Sequence, residues 1–276
     1  MRILFLLARR QPPVPSPLLE EVATTLRSRG FEVDGVIAEE HLFSPDRLAA
    51  SYDLYVLKSH TELSLSLAGA LAAGGARILN PYRACAAAQN KIVAARLLRD
   101  AGVPIPDCWV GNAASLAELI AQHPVVAKPY QGHRGVGVRL IRSPSELAAL
   151  GDASIPLIFQ RYVAGCGEDL KVYVVADEVM AVRKPFSPDS FSRPGRPVEV
   201  TEQVRAIARA VGSAFGLGLF GLDMIETPHG PVVVDLNYFP GYKGLPQAAA
   251  LVARYIERFA LGSIELTYRD VCESVG

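Results

Sequence analysis

The segment Val232-Val-Val-Asp-Leu-Asn-Tyr-Phe-Pro-Gly-Tyr-Lys-Gly244 runs from β-branched residues into a Pro-Gly turn. Three consecutive valines favour a strand, and side chains on a strand alternate faces with a period of two. Asp235 and Asn237 therefore project from one face, as a carboxylate and an amide. Upstream, Gly221-Leu-Asp-Met-Ile-Glu226 has strand character with one inward acid, Asp223, and Thr227-Pro-His-Gly230 reads as the turn of an antiparallel hairpin. Two acids and an amide converging on one sheet face suit Mg²⁺, which takes oxygen ligands and shares them with substrate phosphates. The plainer alternative is an ordinary hairpin with solvated acids.

These residues need a scaffold, and the composition sets its class. The chain has 276 residues, half of them hydrophobic, enough for one large or two to three small units. The 28 basic and 28 acidic residues cancel, which argues against a general nucleic-acid or anionic-membrane binder, so an anion site must be a local concentration of charge. Cys85, Cys108, Cys166 and Cys272 are scattered without CxxC spacing, as expected of a reducing cytoplasm and of neither a disulfide framework nor a zinc site. The apolar opening Met1–Leu7 is too short for a signal-peptide core, and no stretch approaches a membrane span. The expectation is a soluble cytoplasmic protein.

Apolar periodicity and turn residues predict strands at Ile3–Leu7, Glu32–Ile37, Tyr52–Lys58 and Arg77–Leu79, with helices at Leu18–Arg29 and Leu63–Ala73 between them. This rhythm implies a small parallel α/β unit over residues 1–80. A helix at about Cys85–Ala101 and a Pro104/Pro106 linker follow. A helix near Ser115–Gln122, strands Val125–Lys128 and Val136–Ile141, a helix Ser143–Leu150 and a strand Leu157–Arg161 complete an α+β unit, 81–162. The third unit, 163–276, has strands Asp169–Ala176 and Glu178–Arg183, a Ser/Pro/Arg loop to about Pro197, a helix Thr201–Phe215, the hairpin, and a helix Gln247–Phe259. That last helix could pack on its own chain or on a second copy, so monomer and homodimer both stay open.

Two glycine patterns differ in meaning. Gly216-Leu-Gly-Leu-Phe-Gly221 has the spacing of a dinucleotide fingerprint, but a helix precedes it and a strand follows, so it reads as a helix C-cap. Gly132-His-Arg-Gly-Val-Gly137 lies between two strands, where glycines let backbone N–H groups approach a phosphate and His133 and Arg134 add donors. A simple hairpin turn with a solvated arginine is the alternative.

Taken in order, the motifs resemble the ATP-grasp superfamily over nearly the whole chain. Asn90-Lys91 before Ala101-Gly-Val-Pro-Ile-Pro106 looks like the first ATP lysine and its linker, and Val125-Val-Ala-Lys-Pro129 like the second lysine strand. Phe159-Gln-Arg-Tyr-Val163 resembles the hinge that reads adenine, and Gly167-Glu-Asp-Leu-Lys171 the segment whose acid binds ribose. The resemblance implies an α/β (α+β) ATP-grasp fold of three subdomains, with ATP between the central and C-terminal ones. It implies that Lys91, Lys128 and the loop Gly132, His133, Arg134, Gly135 and Gly137 hold phosphates. Gln160, Arg161, Tyr162 and Val163 would hold adenine, Asp169 ribose, and Asp223, Asp235 and Asn237 Mg²⁺, two ions being the expected number. Arg183, with Lys171 or Lys184, would stabilise the transferring phosphoryl group or an acidic substrate. Lys58, His60, Gly241 and Lys243 would meet a small-molecule acceptor.

Two departures stand out. Many carboxylate–amine ligases of this superfamily carry Glu where Asp235 stands, and the Asn-x-His-x-Gly-Gly stretch of RimK-type ligases is replaced by Ser187–Pro197. Two reactions compete. A RimK- or glutathione-synthetase-type ligase phosphorylates a carboxylate, which an amine then attacks. An inositol-polyphosphate-kinase-like enzyme phosphorylates a hydroxyl, and Val182-Arg-Lys-Pro185 and Asp235–Tyr242 resemble that family. A polyphosphorylated acceptor demands more Lys and Arg than this neutral chain offers, which favours the ligase. A non-catalytic nucleotide-binding protein is the third reading.

Overall fold

The computed structural model describes residues 1–10, 14, 16–111, 116–132, 136–150, 156–185 and 194–268. Each of its three sheets follows from a different pattern of apolar residues. The N-terminal one is built from β1 (Arg2–Leu7), α1 (Pro17–Ser28), β2 (Glu32–Ile37), β3 (Leu54–Leu57), α2 (Glu62–Ala73) and β4 (Ile78–Leu79). Its four strands run parallel in the order β2-β1-β3-β4. The order reverses between β1 and β3, which leaves a crevice at their carboxyl ends. Lys58 and His60 follow β3 at that crevice, and the Lys58 amide donates to Leu6 O at 2.9 Å.

The helix expected over 85–101 is two helices, α3 (Tyr82–Gln89) and α4 (Lys91–Asp100). Asn90 separates them with extended backbone, φ −84° and ψ 101°, and its side chain caps α4 by accepting from the amides of Ile92 and Val93 at 3.1 and 3.2 Å. Asparagine serves an N-cap better than a helix interior because its oxygen satisfies first-turn donors. Buried residues of both helices, including Cys85, Ala88, Leu97 and Leu98, belong to the large core described below.

The central sheet holds β5 (Cys108–Val110), β6 (Val125–Pro129), β7 (Arg139–Ile141) and β8 (Leu157–Arg161), with α5 (Ala117–Gln122) and α6 (Pro144–Ala148) on one side. The order is β5-β8-β6-β7, all antiparallel. β5 was not expected in the linker, and β7 begins three residues later than its apolar run, because Val136 and Gly137 form a turn with Gly137 at φ 76°.

The C-terminal sheet comprises β9 (Glu168–Val175), β10 (Glu178–Pro185), β11 (Arg196–Val198), β12 (Leu219–Thr227) and β13 (Gly230–Tyr238), ordered β11-β10-β9-β12-β13, with α7 (Glu202–Phe215) and α8 (Ala248–Ala260). Gly216 ends α7 in the left-handed conformation, φ 64°, as the C-cap reading requires. α8 is held by its own chain: Arg29 of α1 pairs with Glu257, and the Arg77 guanidinium donates to Phe259 O and Ala260 O at 2.6 and 2.9 Å.

The described residues form two cores. One runs without interruption from β1 and β3 through α3 and α4 to the C-terminal sheet and α8. The central sheet has a separate small core of Leu116, Ile120, Val125, Ala127, Ile141, Leu147 and Phe159. Asn80, fully buried, joins the N- and C-terminal sheets. Its side-chain oxygen accepts from the amides of Gly218 and Leu219, both at 3.0 Å, and its nitrogen donates to Leu219 O at 2.8 Å.

Candidate active site

Residues directly opposed in an antiparallel sheet point to the same side. Lys171 on β9 opposes Asp223 on β12, and Asp223 opposes Asp235 on β13, so one row across three strands reads lysine, aspartate, aspartate. Asn237 lies two residues further on the same face, and Asp169 and Lys184, opposed on β9 and β10, extend the face in the other direction. Hairpin geometry thus brings together Asp223, Asp235 and Asn237 as the strand period predicts.

The pairing of β12 with β13 slips between Asp223 and Met224. Asp223 opposes Asp235 and Met224 opposes Val233, so Val234 is an extra residue, a β-bulge. Its carbonyl accepts from Lys128 Nζ at 3.0 Å. Lys128 comes from β6, on the face of the central sheet that also carries Val126, Ile158 and Gln160. The two sheets therefore bound a cleft, with Lys128 reaching across it.

Lys91, the first residue of α4, links both sides. Its amide donates to Tyr130 O at 2.9 Å, and its ammonium lies 2.5 Å from Asp235 Oδ1. Asn237 Nδ2 donates to Asp235 Oδ2 at 3.3 Å. Lys171 Nζ lies 2.8 Å from Asp223 Oδ2 and 3.9 Å from Asp169 Oδ2. Four lysines (91, 128, 171, 184) thus interleave with three aspartates. Burial alone would raise the Asp235 carboxyl, but Lys91 and Lys128 hold it below the usual carboxylate range. Burial pushes Lys128 down, against the pull of Asp235, and raises Asp169 despite Lys171. Burial also opposes charge on Lys171, but Asp223 more than compensates and raises it. Lys184 is 2 % exposed, and burial, then Lys171 and Lys243, push it down to about 8.

Arg183 is not brought to this face, which corrects the expectation that it acts beside Lys171 and Lys184. It opposes Leu170, which in turn opposes Met224, all on the reverse side of the sheet, and its guanidinium pairs with Glu226 at 2.7 Å. Neighbours on a strand cannot share a face, so Arg183 and Lys184 were never able to act together. In the expected adenine stretch, Gln160 turns to the cleft and its amide contacts Cys108 Sγ at 3.7 Å. The amides of Arg161 and Tyr162 donate to Asp107 O and Pro124 O at 2.8 and 2.9 Å, while Val163 follows them half-buried. His133, Arg134 and Gly135 lie outside the described residues; Gly132 and Gly137 flank them.

Beyond β3, His60 stacks on the Tyr238 ring at 4.2 Å, and Lys58 Nζ stands 5.2 Å from the Phe239 ring centroid. Tyr238, next to Asn237, is buried and its hydroxyl bonds Ser59 O at 2.7 Å and Gln89 Oε1 at 2.9 Å. Phe239 and Tyr242 hold left-handed backbone, φ 40° and 49°, an uncommon and strained state for aromatic residues. Gly241 lies between them, and a side chain there would touch Lys243. The sequence reading missed Tyr238 and Val234. Nothing local marks the hydroxyl contacts of Tyr238, and a bulge within a run of valines leaves no signal in the sequence.

The donor set fits Mg²⁺: two carboxylates and an amide on one face, at positions that already attract ammonium groups. Among the described residues no cluster of three or more His, Cys, Asp or Glu could hold a metal, so other oxygens must complete the shell. No helix among them is long and apolar enough to cross a membrane.

The chain is similar to proteins of known family and fold. A "Probable alpha-L-glutamate ligase 2" from Shewanella amazonensis is 28% identical over 194 residues, covering 63% of this chain and 64% of that protein. The chain thus spans just under two thirds of that relative's length. A RimK domain ATP-grasp protein from Sphaerobacter thermophilus superimposes with a TM-score of 0.75 at 19% identity, over 93% of this chain and 100% of its own. The D-alanine–D-alanine ligase of Bacillus anthracis, complexed with ATP, gives 0.70 at 17% identity, over 95% and 98%. These likenesses establish the ATP-grasp fold. The model of the RimK-like ATP-grasp domain matches residues 88–254, more than half of the sequence, and the chain belongs to that family.

Proposed function

We propose that the protein is an ATP- and Mg²⁺-dependent carboxylate–amine ligase that activates a small acid as its acyl phosphate. The single observation that carries this reading is the row Lys171–Asp223–Asp235, faced across the cleft by Lys128 and joined by Lys91. Phosphoryl transfer needs charge neutralisation and in-line positioning more than a covalent helper, and alternating lysines and aspartates supply the first. Lys91 and Lys128 bind the phosphates with the glycine-rich sequence 132–137, adenine lies along Gln160–Val163, and Asp169 takes the ribose. Asp223, Asp235 and Asn237 hold Mg²⁺, which neutralises phosphate oxygens when bound. Two ions are the expected number. Lys171 and Lys184 face the transferring group.

The acid enters at the crevice after β3, between Lys58, His60, Gly241 and Lys243. A carboxylate is already ionised at neutral pH, so its phosphorylation needs no general base. The name of the Shewanella relative supports glutamate as one of the two substrates. We place the enzyme in the cytoplasm, where ATP is supplied and its free cysteines Cys85, Cys108 and Cys166 stay reduced.

Phosphorus NMR of the protein with ATP, Mg²⁺, L-glutamate and pooled small acids and amines tests the reading. The expected products are ADP and equal inorganic phosphate, dependent on both an acid and an amine. A phosphate ester formed from an inositol phosphate, without free phosphate, would overturn it in favour of the kinase.

A further inference from the structure

Both carboxylates assigned to Mg²⁺ already carry an ammonium group, Lys91 on Asp235 at 2.5 Å and Lys171 on Asp223 at 2.8 Å. The second oxygen of Asp235 accepts from the Asn237 amide. Both lysine side chains are only 15% exposed. A divalent cation arriving alone would displace Lys91 from its one carboxylate and leave Lys171 with only the longer contact to Asp169, 3.9 Å away, and an ammonium left buried and poorly paired is strongly unfavourable. The cation would also find only two carboxylates within reach, since among the described residues no three acids stand close enough to share a metal.

A nucleotide changes both conditions. Its phosphate oxygens give the lysines new partners and complete the oxygen shell that Mg²⁺ requires. We infer that Lys91 and Lys171 form a gate that admits the divalent cation to Asp223 and Asp235 only together with a polyphosphate. The inference rests on the ligand assignment made under the proposed function. Coupling of this kind is reciprocal, so the metal strengthens nucleotide binding by the same factor.

The test is Mn²⁺ binding, read without nucleotide from the EPR signal of the free aquo ion and with ADP from water proton relaxation. Wild type, Lys91→Met and Lys91→Met/Asp235→Asn are compared, with Lys171→Met as an independent opening of the same gate at Asp223. Wild type is expected to bind Mn²⁺ well only with ADP. Either single Lys variant binds Mn²⁺ without nucleotide at least about tenfold more tightly than wild type. The double variant loses that gain. Wild-type binding without nucleotide as tight as in both Lys variants overturns the gate while leaving the ligands in place. A gain that survives Asp235→Asn puts the metal elsewhere and overturns gate and ligand assignment together.

Discussion

Lys128 donates to the carbonyl of Val234, the one residue of β13 that its pairing with β12 skips. A regular ladder would spend that carbonyl on β12. The bulge releases it toward the cleft and gives the buried ammonium a partner in the other sheet while Asp235 stays on the working face.

Lys128 is charged at a cost, since burial lowers its proton affinity. Lys128→Met removes that cost along with the Val234 contact. Thermal unfolding is expected at the wild-type temperature or above it, while calorimetry shows ADP binding at least about tenfold weaker, the usual exchange of stability for function. Undiminished ADP affinity would remove Lys128 from the phosphate site.

Asp235→Asn and Asn237→Ala each alter an oxygen donor without touching the core. Steady-state turnover should fall by about 10²–10³ or more in both, the scale of losing one preorganised electrostatic contact. Full activity in both variants would be incompatible with the metal assignment.

Lys184, pushed down to about 8, loses its proton as pH rises through that value. The charged form is the one that stabilises the transferring group, so kcat/KM should be flat below about pH 7 and fall above 8 by up to roughly tenfold per unit. In Lys184→Met this fall should be absent. The stability effect has the opposite sign: the unfolded chain keeps the proton between about 8 and 10.5, so this group favours folding increasingly as pH rises through that window.

Arg183→Met tests which face of the sheet matters. Turnover should stay within about twofold, and the lost pair with a partly exposed Glu226 should cost no more than about 1 kcal/mol, or roughly 2–4 °C. A collapse of kcat with an unchanged melting temperature would return Arg183 to the site.

Asn80→Ala leaves the buried amides of Gly218 and Leu219 without their acceptor. Urea unfolding should show a loss of at least about 2 kcal/mol. A change below about 0.5 kcal/mol, the range of ordinary surface substitutions, would mean that other groups join the two sheets.

Much of the site could be read in advance because strand alternation is a strict rule. It placed Asp235 beside Asn237, and a hairpin turn brought Asp223 opposite. The same rule, applied to Arg183 and Lys184, would have set them on opposite faces. Apolar periodicity runs across Asn90 and suggests one helix, whereas the asparagine ahead of Lys91 marks the opening of a second, and the N-cap decides it. Val234 could not be recognised: each of three valines fits the strand, and only its partner strand decides which one is extra. Tyr238 looked like core because it is core, and its role comes from a hydroxyl that reaches Ser59 and Gln89 from a distant part of the chain.

Among the described residues the central sheet rests on a cluster of seven buried side chains, whereas the other two sheets share one continuous interior. So small an interior gives little free energy of its own, and this unit opens at lower cost than the rest. In amide hydrogen exchange, β6, β7 and β8 should lose protection first while β1, β9 and β12 stay closed. A nucleotide stabilises whatever form binds it, so its slowing of exchange should be concentrated in this least protected part of the chain. The unit that grips the phosphates through Lys128 would then owe much of its order to the molecule it grips.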